Sequence, residues 1–122
     1  MNTIAQIFVV LAGVFHLAVF AMESVLFMKP STYKRFLIPN EAEATVAKPW
    51  AFNQGFYNLF LALGAIGGLI AGGDKGHAIA LFACACMAGA GLVLVVADRR
   101  MARSAALQAG PPIIALVLAA VL

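Results

Sequence analysis

The sequence predicts an all-α fold, an integral membrane four-helix bundle with both termini on the non-cytoplasmic side. Three observations predict it. Hydrophobic residues make up 64% of the 122 residues and charged residues 11%, with a mean hydropathy of +1.00, well outside the usual mix of a soluble domain. The apolar residues gather in four segments, about 3–27, 51–71, 77–97 and 105–122. Each is long enough, at ~1.5 Å per residue, to cross ~30 Å of hydrocarbon or nearly so. The connectors after the first and third segments hold seven Lys and Arg, against Lys75 alone after the second, which puts those two connectors in the cytoplasm. The net charge of +3 and pI near 9.2 are thereby a topology signal rather than a nucleic-acid surface. The length allows a single four-span transmembrane domain, residues 1–122.

The first span is expected to be retained rather than cleaved, because it lacks a basic leading region, runs long, and carries Glu23 where a cleavage region would stand. It also holds His16. His16 and Glu23 are seven residues apart, so they fall within ~20° on one helical face but ~10.5 Å apart along it. They cannot bond directly; a ligand or water has to span the gap.

The connector 28–50 is read as an amphipathic cytoplasmic segment. Asn40 and Glu43 have the form of a capping box, so a short helix is expected over 41–48, ended by Pro49. Tyr33, Phe36, Leu37 and Trp50, interleaved with Lys34 and Arg35, suit a headgroup layer.

Span two opens with Asn53, Gln54, Tyr57 and Asn58, a density of polar groups that hydrocarbon tolerates only when they are satisfied inside the bundle. Gln54, Tyr57 and Asn58 share a helical face, with Asn53 about 100° to one side of Gln54. Under this topology Glu23 lies ~6 Å in from the cytoplasmic boundary, Asn53 and Gln54 ~3 to 5 Å and Asn58 ~10 Å, so Glu23 can meet these amides at one level, and His16 lies ~16 Å in, near the midplane. In span four, Pro111 and Pro112 leave the carbonyls of Leu107 and Gln108 without helical donors near the same level, and Gln108 can join the network.

The rest of the pattern is packing. Gly64, Gly68 and Gly72 recur every four residues, as do Ala80, Cys84 and Ala88, accompanied by Ala85 and Gly89. Such stripes let helices approach closely, within one chain or between copies. Gly72, Gly73 and Gly76 suggest a tight hairpin around Asp74 and Lys75, and Asp98 beside Arg99 and Arg100 a charged helix end. Cys84 and Cys86 point ~200° apart on a helix and read as free apolar cysteines.

The amides by themselves are adequately explained as helix glue. Glu23 is not, because a carboxyl group in hydrocarbon either pairs with a cation or takes up a proton, and both states belong to proton-handling or ligand-binding sites. His16 and Glu23 are therefore the candidate catalytic residues, with Asn53, Gln54, Tyr57, Asn58 and Gln108 as candidate ligand-binding residues. Three roles are open to His16: a satisfied core histidine, a general acid or base, or an axial ligand to haem. No other metal site is expected, and the cofactor is left open. The expected partners are membrane lipids, a small lipophilic ligand and further copies of the chain in a homo-oligomer. The leading function is binding of a small amphipathic molecule, with an isomerase or transferase as its enzymatic form. The alternatives are a non-catalytic assembly component and a proton-coupled transporter or channel subunit.

The run F-H-L-A-V-F-A-M-E-S from Phe15 to Ser24, N-Q-G-F-Y-N-L-F-L-A from Asn53 to Ala62, and Q-A-G-P-P-I-I-A-L from Gln108 to Leu116 resemble the domain of unknown function 1304 family, small four-span bacterial membrane proteins. The resemblance covers essentially the whole chain. It implies a bacterial inner-membrane location and supports the fold, without supplying a reaction. In size and in its inward polar cluster the chain is also similar in architecture to membrane glutathione transferases and haem-containing styrene oxide isomerases, both trimeric, with no catalytic motif in common.

Overall fold

Asn2 starts the first helix: its Oδ1 accepts the Ala5 N–H at 2.8 Å, an N-cap that satisfies one of the free donors of a helix start. In the computed structural model, which describes residues 1–122, α1 (Thr3–Phe20) passes into a π-helical turn, Ala21–Val25. That turn is closed by the Leu26 N–H donating to the Ala21 carbonyl at 2.8 Å. A short α2 (Pro30–Tyr33) begins on proline, a residue preorganised for a helix start. It continues as a 3₁₀ turn over Lys34–Phe36, and Leu37 ends it in the left-handed region at φ 63°. Three long helices complete the chain: α3 (Glu41–Ala71), α4 (Gly73–Ala97) and α5 (Ala102–Val121), with a 3₁₀ turn, Arg99–Met101, before the last. The chain is all-helical, and four stretches are long and apolar enough to cross a membrane: Thr3–Val25, Glu41–Ala71, Gly73–Ala97 and Arg99–Val121.

Three local expectations are corrected. Pro49 does not end a short helix; α3 runs through it unbroken for 31 residues. Proline removes one backbone donor, but Ala44 and Ala51, on either side of it, are both packed into one core cluster with Phe27 and Tyr33, which pins the flanking turns. The Asn40 cap does form, with the Glu43 N–H donating to Asn40 Oδ1 at 2.9 Å. Of the residues assigned to a headgroup layer, Trp50 and Leu37 are exposed, but Tyr33 is buried and Phe36 packs on the same cluster. Asp74 and Lys75 are not the centre of a hairpin. They sit in the first turn of α4, and the chain reverses at Gly72 and Gly73, whose φ of 69° and 66° favour glycine.

The chain forms two compact units. In the first, Met1–His16 with Leu61–Leu122, the core is Val9, Ala12, Ala65, Ala80, Ala83, Cys84, Met87 and Ala115. Here the small-residue stripes work within the chain. A Cβ on Gly68 would come 2.5 Å from the Gly76 carbonyl oxygen and 2.7 Å from the Ala80 nitrogen, so α3 and α4 are in backbone contact. Gly91 meets Ala109 of α5 in the same way, with a Cβ placed 2.7 Å from the alanine methyl. Asn2 Nδ2 ties α1 to α5 by donating to the Leu118 carbonyl at 3.0 Å. In the second unit, Leu17–Phe60, the core is Phe27, Tyr33, Ala44 and Ala51. Phe20 and Phe52 both meet the edge of the Phe56 ring, with centroids 5.2 and 5.1 Å away, the arrangement aromatic quadrupoles favour.

Candidate functional site

The polar residues of the second unit meet because of the π turn and one glycine. A π turn carries one residue more than the helix it interrupts and so re-aims the side chains that follow. Ser24, within that turn, donates from Oγ to the Phe52 carbonyl at 2.8 Å. Its side chain occupies the space where a Cβ of Gly55 would stand, in direct overlap with Oγ. The turn is thus seated on the bare backbone of α3, and Glu23 lies beside the next turn of that helix. Asn58 Nδ2 donates to Glu23 Oε1 at 2.6 Å and to the Gln54 carbonyl at 3.2 Å. The second bond fixes which end of the Asn58 amide is nitrogen, because a backbone carbonyl only accepts. Glu23 is half-buried and Asn58 is buried.

The other candidates on α3 are not drawn in. Asn53, Gln54 and Tyr57 are exposed; Gln54 takes part through its backbone oxygen alone. Within the second unit, then, the partner of Glu23 is an amide and not a Lys or Arg. Sequence reasoning missed Ser24 and Gly55, which position this pair. Their signal was a lone hydroxyl next to the buried acid and a lone glycine among amides and aromatics, one close-packing position on each helix.

His16 belongs to the first unit and is fully buried. Its Nδ1 lies 2.8 Å from the Ala12 carbonyl oxygen, which can only accept, so Nδ1 carries the hydrogen. That leaves Nε2 with its lone pair, buried and without a partner. Phe15 abuts the imidazole edge-on, ring centroids 5.6 Å apart. Gln108, half-buried on α5, lies in the same unit. Pro111 and Pro112 do not break α5, and Pro112 is fully buried. Cys84 is a core residue and Cys86 half-buried, both free. No group of three or more His, Cys, Asp or Glu side chains is placed to hold a metal ion.

The first unit has an open apolar groove of about 500 Å³ lined by Thr3, Gln6, Ile7, Val10, Leu11, Leu69 and Ile70, none of them a candidate site residue. At the α4–α5 junction Asp98 accepts from the Arg100 backbone N–H at 3.0 Å and from its guanidinium at 2.8 and 3.1 Å. These hydrogen bonds, the side-chain ones first, hold the Asp98 carboxyl below its usual value.

Among known proteins, a family model described as "Protein of unknown function (DUF1304)" matches residues 10–120. No curated protein and no solved structure matches the chain.

Proposed function

Since the chain belongs to the DUF1304 family of proteins of unknown function, its activity has to be read from its own residues, and we propose that it binds a small amphipathic ligand at the corner made by Glu23 and Asn58. The observation that carries the reading is the 2.6 Å bond between them, formed on two helices apolar enough to cross a membrane. Polar groups are costly in hydrocarbon unless partnered. Asn53, Gln54 and Tyr57 are exposed on the same stretch of α3, and the polar head of a ligand supplies partners for them. Glu23 receives that head or exchanges a proton with it. In the first unit, His16, with the free Nε2 lone pair, is a separate proton acceptor in the apolar core, and Gln108 an amide of that same unit.

The proposed setting is the bacterial inner membrane, in a homo-oligomer, with both termini on the non-cytoplasmic side. The seven-to-one partition of Lys and Arg supports that orientation. An isomerase or transferase acting on a lipophilic substrate is the enzymatic extension of the same site.

Mass spectrometry of small molecules copurified with the wild type, Glu23→Gln and His16→Ala tests the reading. A molecule enriched with the wild type and depleted from Glu23→Gln is expected, while His16→Ala reports on the first unit by itself. If both variants keep the same ligand complement and the same thermal stability in detergent, the site is not a ligand site. Helix glue is the second reading, favoured by Asn58 giving both of its amide hydrogens to acceptors inside its own unit. It predicts that Asn58→Leu lowers stability while nothing copurifies with the wild type.

A further inference from the structure

We infer that the Glu23–Asn58 corner selects a positively charged head, a primary ammonium, over neutral and anionic heads of the same size. This rests on the ligand-binding reading above and narrows its chemistry. Asn58 Nδ2 has two hydrogens; one goes to Glu23 Oε1 and the other to the Gln54 carbonyl. What Asn58 has left to offer is Oδ1, an acceptor, and what Glu23 has left is Oε2, which as a carboxylate oxygen also only accepts. Gln54, one turn before Asn58, is exposed; its side-chain amide carries an acceptor and two donors alike, so the balance of the corner is set by Glu23 and Asn58.

A head that satisfies such a corner must bring donors. An ammonium brings three and no acceptor, a hydroxyl one, and a carboxylate or phosphate none. Charge points the same way. A carboxyl group in an apolar helix stays ionised by pairing with a cation and otherwise takes up a proton, and inside its unit Glu23 has an amide for a partner. The basic residues of that unit, Lys29, Lys34, Arg35 and Lys48, are exposed. An ammonium provides the counter-ion and the missing donors together, through charge-assisted hydrogen bonds stronger than neutral ones.

The ammonium can come from a soluble lipophilic amine or from an aminophospholipid headgroup, and the test separates the two. The full chain is reconstituted in phosphatidylcholine nanodiscs and titrated with dodecylammonium, dodecanol and dodecanoate, with the unfolding midpoint followed by the fluorescence of Trp50, the one tryptophan. Dodecylammonium is expected to raise the midpoint and the other two to leave it in place. Its apparent affinity is expected to fall at least about tenfold in Glu23→Gln, as for loss of one hydrogen bond to a charged group. Glu23→Asp, which keeps the charge, retains part of the effect. A photoreactive alkylamine provides a measurement on the wild type alone and is expected to label Ala21–Val25 or the Gln54–Asn58 turn. If replacing part of the phosphatidylcholine by phosphatidylethanolamine abolishes that labelling, the lipid headgroup is the source; if labelling persists, the free amine is.

Equal stabilisation by dodecanol overturns the charge selectivity and leaves ligand binding standing. Labelling of the wild type elsewhere, with no probe distinguishing it from Glu23→Gln, overturns ligand binding at this corner altogether.

Discussion

Asn58 gives both amide hydrogens away, and Glu23 depends on one of them. Asn58→Leu removes the donor and leaves a partly buried carboxyl oxygen unpaired, so a loss of about 1–3 kcal/mol is expected. Glu23→Gln keeps an acceptor oxygen in nearly the same place, and its loss is expected to stay below about 1 kcal/mol. Unfolding in mixed micelles compares the two; equal losses would mean that the bond does not contribute to stability. His16 makes a different prediction at the same scale. Its Nδ1 bond to the Ala12 carbonyl fixes the tautomer with the hydrogen on Nδ1, so ¹⁵N spectra of labelled protein should show a protonated Nδ1 and a bare Nε2. A proton found on Nε2 of the neutral ring would show that the Ala12 bond is absent.

At the scale of elements, the π turn and the α3 stretch around Gly55 act as one fitted joint. Gly55→Ala puts a methyl group where Ser24 Oγ stands, so the turn has to shift or the helices separate. Overpacking of this kind typically costs about 1–3 kcal/mol. Combining it with Ser24→Gly vacates the space, and the double variant is expected to recover part of the loss, a coupling that a double-mutant cycle measures. Independent, additive losses would place the strain elsewhere. The α4–α5 joint responds to pH through Asp98. Because its carboxyl is held below the usual 3.8, the native state favours the ionised form. The stabilisation is present above 3.8 and is lost as pH falls through the lowered native value. Asp98→Asn is expected to flatten that acid limb of the stability profile and to leave neutral pH nearly unchanged, as exposed pairs contribute little.

Across the whole molecule, the alternation of basic connectors predicts sidedness. Single cysteines at Ser31 and Asp74, both exposed, placed in a background with Cys84 and Cys86 replaced, are expected to react with impermeant thiol reagents from opposite sides of the membrane. Labelling of the Ser31 position is expected only with access to the cytoplasmic side. Reaction of both from the same side would reject the four-span topology. The small-residue stripes belong to this scale as well. Gly64, Gly68 and Ala80 are taken up by α3–α4 contact, so interfaces between copies in the proposed homo-oligomer must use other surfaces, and substitutions at these positions are expected to affect folding before assembly.

The class of molecule and the placement of its polar residues along the chain were legible in the sequence, since hydrophobic segment length and the position of Lys, Arg, Glu and Asn are one-dimensional properties. That Glu23 could meet the amides at the start of span two was legible, because a similar level along two helices is a matter of counting residues. The angle around each helix is not. Whether Asn53, Tyr57 or Asn58 faces Glu23 depends on where the end of α1 docks on α3, and that was decided by the extra residue of the π turn and by Ser24 lying against Gly55. Tertiary packing likewise carried α3 through Pro49, because buried Ala44 and Ala51 hold both sides of the lost hydrogen bond. Local propensity is a weak term beside such packing.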